Sequence, residues 1–387
     1  MNLTFKPTPE DKLLLYCART HMDAETKEKI KSIILMVTDW DYVIEMATRH
    51  RLRHFLYNQL NHICPENVPN EVLFSLKKYF DSNIKRNLFM YGKLLEILDA
   101  FHLEGIESLP YKGPVLSLST YGNLGLREFD DLDIFVHRKD VYKVKNILIS
   151  IGYEPRIDLD QKEERKFIQT MRDYIFNHSE SGITLEIHWR FPSIFFSLPK
   201  SIKLFNWDKC QSGVLQSRQI MISSPEDMLL ILCIHNAEHR WKRISLLCDF
   251  KQFFITNEIN LPRLMRKSKQ LGIKRIVAIN FYLTNVLLGL ELHEEFFRTL
   301  ISDKNVEKIS YHILSEMFSR NTKPTHLLNE TLISYKLREN SLFGIKDVIR
   351  GVTFPGILEW EKIRLPLFLF PLYYLIRPFL LIKRYMI

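Results

Sequence analysis

The sequence predicts an α+β protein in which a small mixed β-sheet is flanked by N-terminal and C-terminal helical regions. Apolar residues recur at helical spacing up to about residue 103 and again beyond Pro192. Between these regions the period drops to two in several short runs bounded by turn residues. Glycine is scarce, 13 of 387 residues, while 26 Phe and 16 Tyr favour helices and filled cores over a barrel. A chain of this length can bury two or three sizeable cores. The expected division is a helical region 1–103, an α/β core 104–192, a helical domain 193–342 and an apolar, basic tail 343–387.

Thr38-Asp39-Trp40-Asp41 offers a helix cap with acidic residues in the first turn. Val43, Ile44, Ala47, Leu52, Phe55, Leu56 and Leu60 follow at helical spacing, with a break expected near 49–51. A longer helix is expected over 72–103, ended by Glu104-Gly105. His50, His54 and His62 read as core or surface histidines rather than ligands. Next come a strand at 106–111, a short helix at 114–120, a strand at 131–136 and a helix at 141–150. An extended piece from Tyr153 and a polar helix at 161–170 follow. Runs 174–178 and 183–189 flank Glu180-Ser181-Gly182 and predict an antiparallel hairpin. Ser224-Pro225-Glu226-Asp227 then starts a helix to about residue 240. Further helices are expected at 241–254, 261–271, 276–290, 292–300 and 306–319, with 320–342 a polar loop.

The net charge of +9 allows nucleic acid, an anionic membrane or a polyphosphate as partner. The densest basic run, RLMRKSKQLGIKR at 263–275, has no interleaved aromatic platform, which argues against sequence-reading nucleic-acid binding. Five scattered cysteines without a CxxC pair suit a reducing, cytoplasmic setting without structural zinc. MNLTFKPTPEDK lacks the basic-then-apolar pattern of a secretory leader. In the tail, LPLFLFPLYYLIRPFLLI carries Arg377 and prolines 366, 371 and 378, a poor spanning helix. Lys362, Arg364, Lys383 and Arg384 around Tyr373 and Tyr374 suit a segment at a membrane interface. Packing against the helical domain or a partner is the other reading. Peripheral membrane contact through 362–387 therefore stays open.

Strand alternation sends Asp131 and Asp133 to one face and Leu132, Ile134 and Val136 to the other. Paired carboxylates repel, and such a pair usually serves a divalent cation or chemistry. A plain alternative is an acidic loop entering an edge strand. Thr184, Glu186 and His188 share one face of the second hairpin strand in the same way, either as a solvated sheet surface or as part of a site. His235, Glu238 and His239 match the H-x-x-E-H spacing of inverted zinc peptidases, but no third protein ligand stands out.

Lys112-Gly113 before an aliphatic helix, then Tyr121-Gly122, Gly125, Arg127, Asp131-Leu132-Asp133 and Leu185-Glu186-Ile187-His188-Trp189, resembles the uncharacterised nucleotidyltransferase family. That family looks like an outlying branch of the polymerase-β-type superfamily. Asp39-Trp40, the Pro225-Glu226-Asp227 helix with His235, His239, Trp241 and Asp249, and the LP…YYLIRP…KRY tail fit it too. The resemblance implies that Asp131, Asp133 and Glu186 are catalytic and hold Mg²⁺ in a two-metal site. Lys112, Gly113, Arg127 and His188 are implied at the nucleotide. Two Mg²⁺ ions about 3.5–4 Å apart suit in-line attack on a triphosphate. Where the superfamily usually has Gly-Ser, this chain has Lys112-Gly113 with Ser117 a turn later. Arg127 either pairs with a carboxylate or reaches a phosphate. The implied activity is transfer of a nucleoside monophosphate, most simply AMP from ATP, to a hydroxyl on a small molecule, sugar or protein. The rival is a non-catalytic nucleotide-binding or scaffold protein with a membrane-peripheral tail.

Overall fold

The structure is a computed structural model that describes all residues but 1–5, 21, 192, 194–195, 200, 216–217, 321–326, 364 and 387. Side chains of 327–330 and 384–386 are likewise not described, so Pro192, Arg364 and the Arg384 side chain lie outside the described residues.

Four helices open the chain: α1 (Pro9–Cys17), α2 (Ala24–Ile34), α3 (Trp40–Arg49) and α4 (Arg53–Ile63). Asp39 caps α3 by accepting from the Tyr42 amide, and Arg51 at φ 55° makes the expected break before α4. Helix α5 (Asn70–Leu103) runs for 34 residues, about 50 Å at 1.5 Å per residue, and stops at Gly105 with φ 67°. The central region is β1 (Ser108–Pro110), α6 (Gly113–Tyr121), β2 (Asp131–Val136), α7 (Val141–Ser150), β3 (Tyr153–Pro155), α8 (Gln161–Thr170), β4 (Asp173–His178) and β5 (Thr184–His188). Its five strands lie in the order β1-β2-β5-β4-β3. β2 and β5 are parallel, and the remaining pairs are antiparallel, including the expected β4–β5 hairpin. The fold is α+β.

Beyond this sheet the chain is not helical throughout, as the sequence had suggested. A hairpin of β6 (Gln211–Leu215) and β7 (Arg218–Ile222) comes first, with β7 against β1. Its strands are five residues each, with their apolar residues adjacent rather than alternating, too short for a period to stand out. Helices follow: α9 (Pro225–Glu238), α10 (Ile244–Thr256), α11 (Leu261–Leu271), α12 (Lys274–Leu288), α13 (Glu294–Ile301) and α14 (Lys304–Met317). The loop expected at 320–342 contains α15 (Leu327–Lys336), and α16 (Ser341–Thr353) begins inside it. Long-range contacts stabilise what local pattern did not: Arg275 donates to the Lys336 and Arg338 carbonyls, and buried Arg338 pairs with Asp347. Last come α17 (Ile357–Lys362) and α18 (Leu372–Met386).

Two apolar cores result. The first joins residues from α1–α4 with residues from α9–α14, so the two helical regions share one interior. The second lies between one face of the sheet, α7, α8 and the later half of α5. Helix α5 enters both, with Leu76 in the first core and Met90, Leu94, Ile97 and Phe101 in the second. Trp360, Phe370 and Tyr373 of the tail are buried in the second core, and Arg377 forms a 2.6 Å ion pair with buried Glu359. Among the described residues no helix is long and apolar enough to cross a membrane.

Candidate active site

The sheet's alternation decides which side chains meet. Leu132, Ile134, Leu185, Ile187, Tyr174 and Phe176 enter the second core. Asp131 and Asp133 of β2, Glu186 and His188 of β5, and Asp173 and Ile175 of β4 therefore face the other way, away from α7 and α8. Register brings Asp133 opposite Glu186 across the parallel β2–β5 pair. The loop entering β2 is held from α5: the Asn87 side-chain amide donates to the Leu124 and Arg127 carbonyls, both at 2.7 Å. Asp130 pairs with Arg51 and Arg86 and takes no part in the carboxylate set.

Asp133 is the centre of the polar cluster. Its Oδ1 is 2.9 Å from the Lys112 ammonium and 3.0 Å from His188 Nε2, and the Tyr111 hydroxyl donates to it at 3.3 Å. Its buried Oδ2 has no hydrogen-bond partner among the described residues. His188 Nε2 also lies 3.2 Å from Glu186 Oε2. Ligand atoms of Asp133, Glu186 and His188 all fall within 4.8 Å of one another, a set that does not include Asp131. Burial opposes charge here, and the partners decide the outcome. Burial would raise the Asp133 carboxyl, but Lys112 and His188 hold it far below the carboxylate range. Burial would lower the His188 imidazole, but hydrogen bonds to Asp133 and Glu186 raise it to about 9. Asp131, without such partners, is pushed up to about 6 by burial and by the Asp133 charge.

Two cavities adjoin this cluster. One, about 150 Å³, is lined by Asp131, Asp133 and three arginines, Arg51, Arg127 and Arg243. The other, about 170 Å³, is lined by Arg172, Glu186, His188 and Glu238. Lys112, Asp131, His235 and His239 line both, so they stand between them. Gly113 starts α6 at φ +52°, and a Cβ there would come 3.3 Å from the Asp131 carbonyl oxygen. Glycine is what lets the Lys112 turn close over β2.

Arg127, left undecided by the sequence, pairs with a carboxylate. Its Nε and Nη2 lie 3.0 Å from Asp249 Oδ2 on α10, and the Tyr121 hydroxyl donates to the same carboxylate at 2.8 Å. This ties the acidic loop to the helices. His235 and His239 meet ring to ring, centroids 4.4 Å apart, and both are held below the ordinary imidazole value, chiefly by burial and the Lys112 charge. Glu238 is engaged elsewhere, accepting from the Ser193 amide at 2.7 Å and from Arg172 at 3.4 Å. Among the described residues, His235, Glu238 and His239 belong to no metal-ligand cluster.

Residues 37–289 match the family described as "Uncharacterised nucleotidyltransferase". The chain belongs to the uncharacterised nucleotidyltransferase family. No individually curated protein matches it. Two solved structures of the antibiotic-resistance factor ANT(2'')-Ia are similar at 12% identity, one in solution and one a crystal structure with adenylyl-2''-tobramycin. They cover 47% of this chain and 91% and 95% of their own, with TM-scores of 0.35 and 0.34.

In this nucleotidyltransferase-family chain, all seven residues singled out in the sequence, Lys112, Gly113, Arg127, Asp131, Asp133, Glu186 and His188, border one or both cavities or lie directly behind them. Sequence reading missed Tyr111, Arg51, Arg172, Asp173 and Arg243. Asp173 had a signal, since alternation from Tyr174 places it on the Glu186 face. Arg51 and Arg243 had none, being separated by 192 positions and joined only by the shared core.

Proposed function

We propose that this protein is a Mg²⁺-dependent nucleotidyltransferase that moves a nucleoside monophosphate, most simply AMP from ATP, onto an acceptor hydroxyl. The observation that carries the reading is the same-face carboxylate set Asp131, Asp133 and Glu186 beside the Lys112-Gly113 helix start and an arginine-lined cavity. A divalent cation fits Asp133 and Glu186, whose ligand atoms lie within 4.8 Å of one another, with Asp131 on the same sheet face just outside that set. The donors are carboxylate oxygens, as Mg²⁺ prefers, and Asp133 Oδ2 is buried without a partner among the described residues. Asp131, Asp133 and Glu186 would hold the metal, which supplies charge neutralisation at the triphosphate and greater acidity at the acceptor hydroxyl.

The chain's own groups supply the rest. Lys112, with Arg243 across the cavity, attracts the β- and γ-phosphates, and the amide end of α6 favours the same anion, while Arg51 stays paired with Asp130. Arg127 stays paired with Asp249 and fixes the loop before Asp131 rather than acting as a free cation. Neutral His235 and His239 offer ring faces and hydrogen bonds to the nucleotide from α9. Glu186, whose side chain is 23% exposed, takes the proton from the acceptor hydroxyl, and His188 keeps Glu186 ionised by donating to it.

Incubation with Mg²⁺ and α-labelled triphosphates over candidate acceptors tests the reading. Label on an acceptor, lost in Asp131→Asn/Asp133→Asn, is expected; product that survives both substitutions refutes the site. One observation favours a second reading, nucleotide binding without transfer: Lys112 and His188 already neutralise Asp133 with no metal needed. Calorimetry separates the two, because under this reading ATP binds equally well with Mg²⁺ or with EDTA.

A further inference from the structure

A third cavity, about 890 Å³, opens on the far side of Glu186. Glu186 and Arg172 line both this cavity and the 170 Å³ one, so the proposed base stands where the two meet. From there six apolar side chains line the walls, with Asp173, Ser193 and the Glu359–Arg377 ion pair among them. Met171 at the end of α8 and Ile175 of β4 form one side, and Ile357, Leu358, Leu380 and Leu381 the side made by α17 and α18. Lys362 and Lys383 lie at its tail end. The volume is near the upper end of the ~300–1,000 Å³ usual for small-molecule pockets. A mixed wall with an apolar strip leading to a base suits an acceptor with an apolar body and a polar, hydroxyl-bearing head.

Helix α18 has a second, outward face. Leu372, Leu375, Phe379 and Ile382 recur at spacings of three and four, which places them in one stripe, and all four are exposed. Phe368 just before the helix is 79% exposed, Leu375 65% and Phe379 72%. Helix α16, packed against α18, leaves Leu342, Ile345 and Ile349 exposed on one of its faces. The charges around them have one sign. Acidic residues from 341 onward are engaged within the protein: Asp347 with Arg338, Glu359 with Arg377 and Glu361 with Arg156. Lys346, Lys362 and Lys383 remain exposed, Lys346 one turn from Leu342 and Lys383 one turn beyond Phe379. A second copy of the chain would bring like charges together across this face. An anionic bilayer accepts both the apolar stripe and the ammonium groups.

We propose that the chain docks on an anionic lipid surface through the α16–α18 face and that its acceptor is a hydroxyl-bearing amphiphile of that surface. The apolar part lies in the groove along α17 and α18, and the hydroxyl reaches Glu186. The acceptor assignment rests on the nucleotidyl-transfer reading above. In the step, the acceptor oxygen bonds to the α-phosphorus of the triphosphate as the bond from that phosphorus to the bridging oxygen breaks. The hydroxyl proton passes to Glu186, and pyrophosphate leaves.

The full chain is floated with vesicles of phosphatidylcholine alone, and of phosphatidylcholine with an equal part of phosphatidylglycerol. Flotation with the mixed vesicles alone is expected, and Leu375→Asp/Phe379→Asp should weaken it about tenfold or more while Tm is kept. Should that variant fail to fold, Leu375→Ser/Phe379→Ser replaces it. No flotation, unchanged flotation of a folded variant, or a lipid-free dimer that the substitutions split overturns the docking. Asp131→Asn, which keeps Tm, should float like the native chain, so transfer can fail without docking failing. For the groove, dodecyl maltoside below its micellar concentration is the calorimetric probe. Leu381→Trp, which fills the groove, should weaken its binding about tenfold; undiminished binding, or equal binding of maltose alone, overturns the groove.

Discussion

Asp131 and Asp133 sit two residues apart on β2, yet their surroundings make them respond differently to substitution. Asp133 is buried against the charges of Lys112 and His188, so Asp133→Asn strands two cations. Breaking a buried ion pair from one side costs about 3–5 kcal/mol, and Asp133→Asn should lower Tm accordingly as well as abolish transfer. Among the described residues Asp131 has no such ion-pair partner, and its carboxyl is already pushed up to about 6. Asp131→Asn should therefore leave Tm close to native while reducing the transfer rate about 10²-fold or more. Thermal melts beside initial rates check the contrast; equal destabilisation by the two substitutions would contradict it.

At the scale of elements, two side chains pin helices that are far apart in sequence. His50, fully buried at the α3–α4 junction, accepts from the Ile244 amide at 3.4 Å and bonds the Met317 carbonyl at 3.2 Å. Burial, aided by the Arg49 charge, lowers its imidazole to about 4. An unfolded chain binds this proton from about pH 6.5 downward and the folded chain does not. Stability is thus fully present above pH 6.5 and should fall by up to about 3 kcal/mol toward pH 4. Urea titrations across that range, flatter for His50→Gln, are the check. The second pin is Asp249, which α10 presents to Arg127 and Tyr121. Asp249→Asn should cost about 3–5 kcal/mol. A double-mutant cycle with Arg127→Met should recover much of that, because removing both charges leaves neither unpaired.

For the whole molecule, what matters is that the first core is built from both ends of the chain. Leu13, Leu56 and Leu60 pack in one cluster with Leu229, Trp241 and Ile276. Fragments 1–192 and 193–387, expressed apart, should each lack a cooperative thermal transition, because each half exposes a large apolar face. Co-expression should restore a single transition, and circular dichroism melts decide it. The same packing explains the site, since α9 and α10 place His235, His239, Arg243 and Asp249 over β2 only because that core holds them there.

Local pattern determined a great deal by itself. Alternation placed Asp131 and Asp133 together and matched β2, α7 and α8 to the residue, because strand and helix periods are properties of the backbone. Lys112-Gly113 and Glu186 were legible as motif and resemblance. The α15 helix, the β6–β7 hairpin and the burial of Trp360 and Tyr373 were not, since each depends on contacts with distant residues rather than on its own pattern. Only the tertiary structure decided that Arg127 is held by Asp249, that Asp133 is caught between Lys112 and His188, and that Arg51 and Arg243 share a cavity. Such pairings are set by how the shared core folds the chain back on itself, and no local period encodes that.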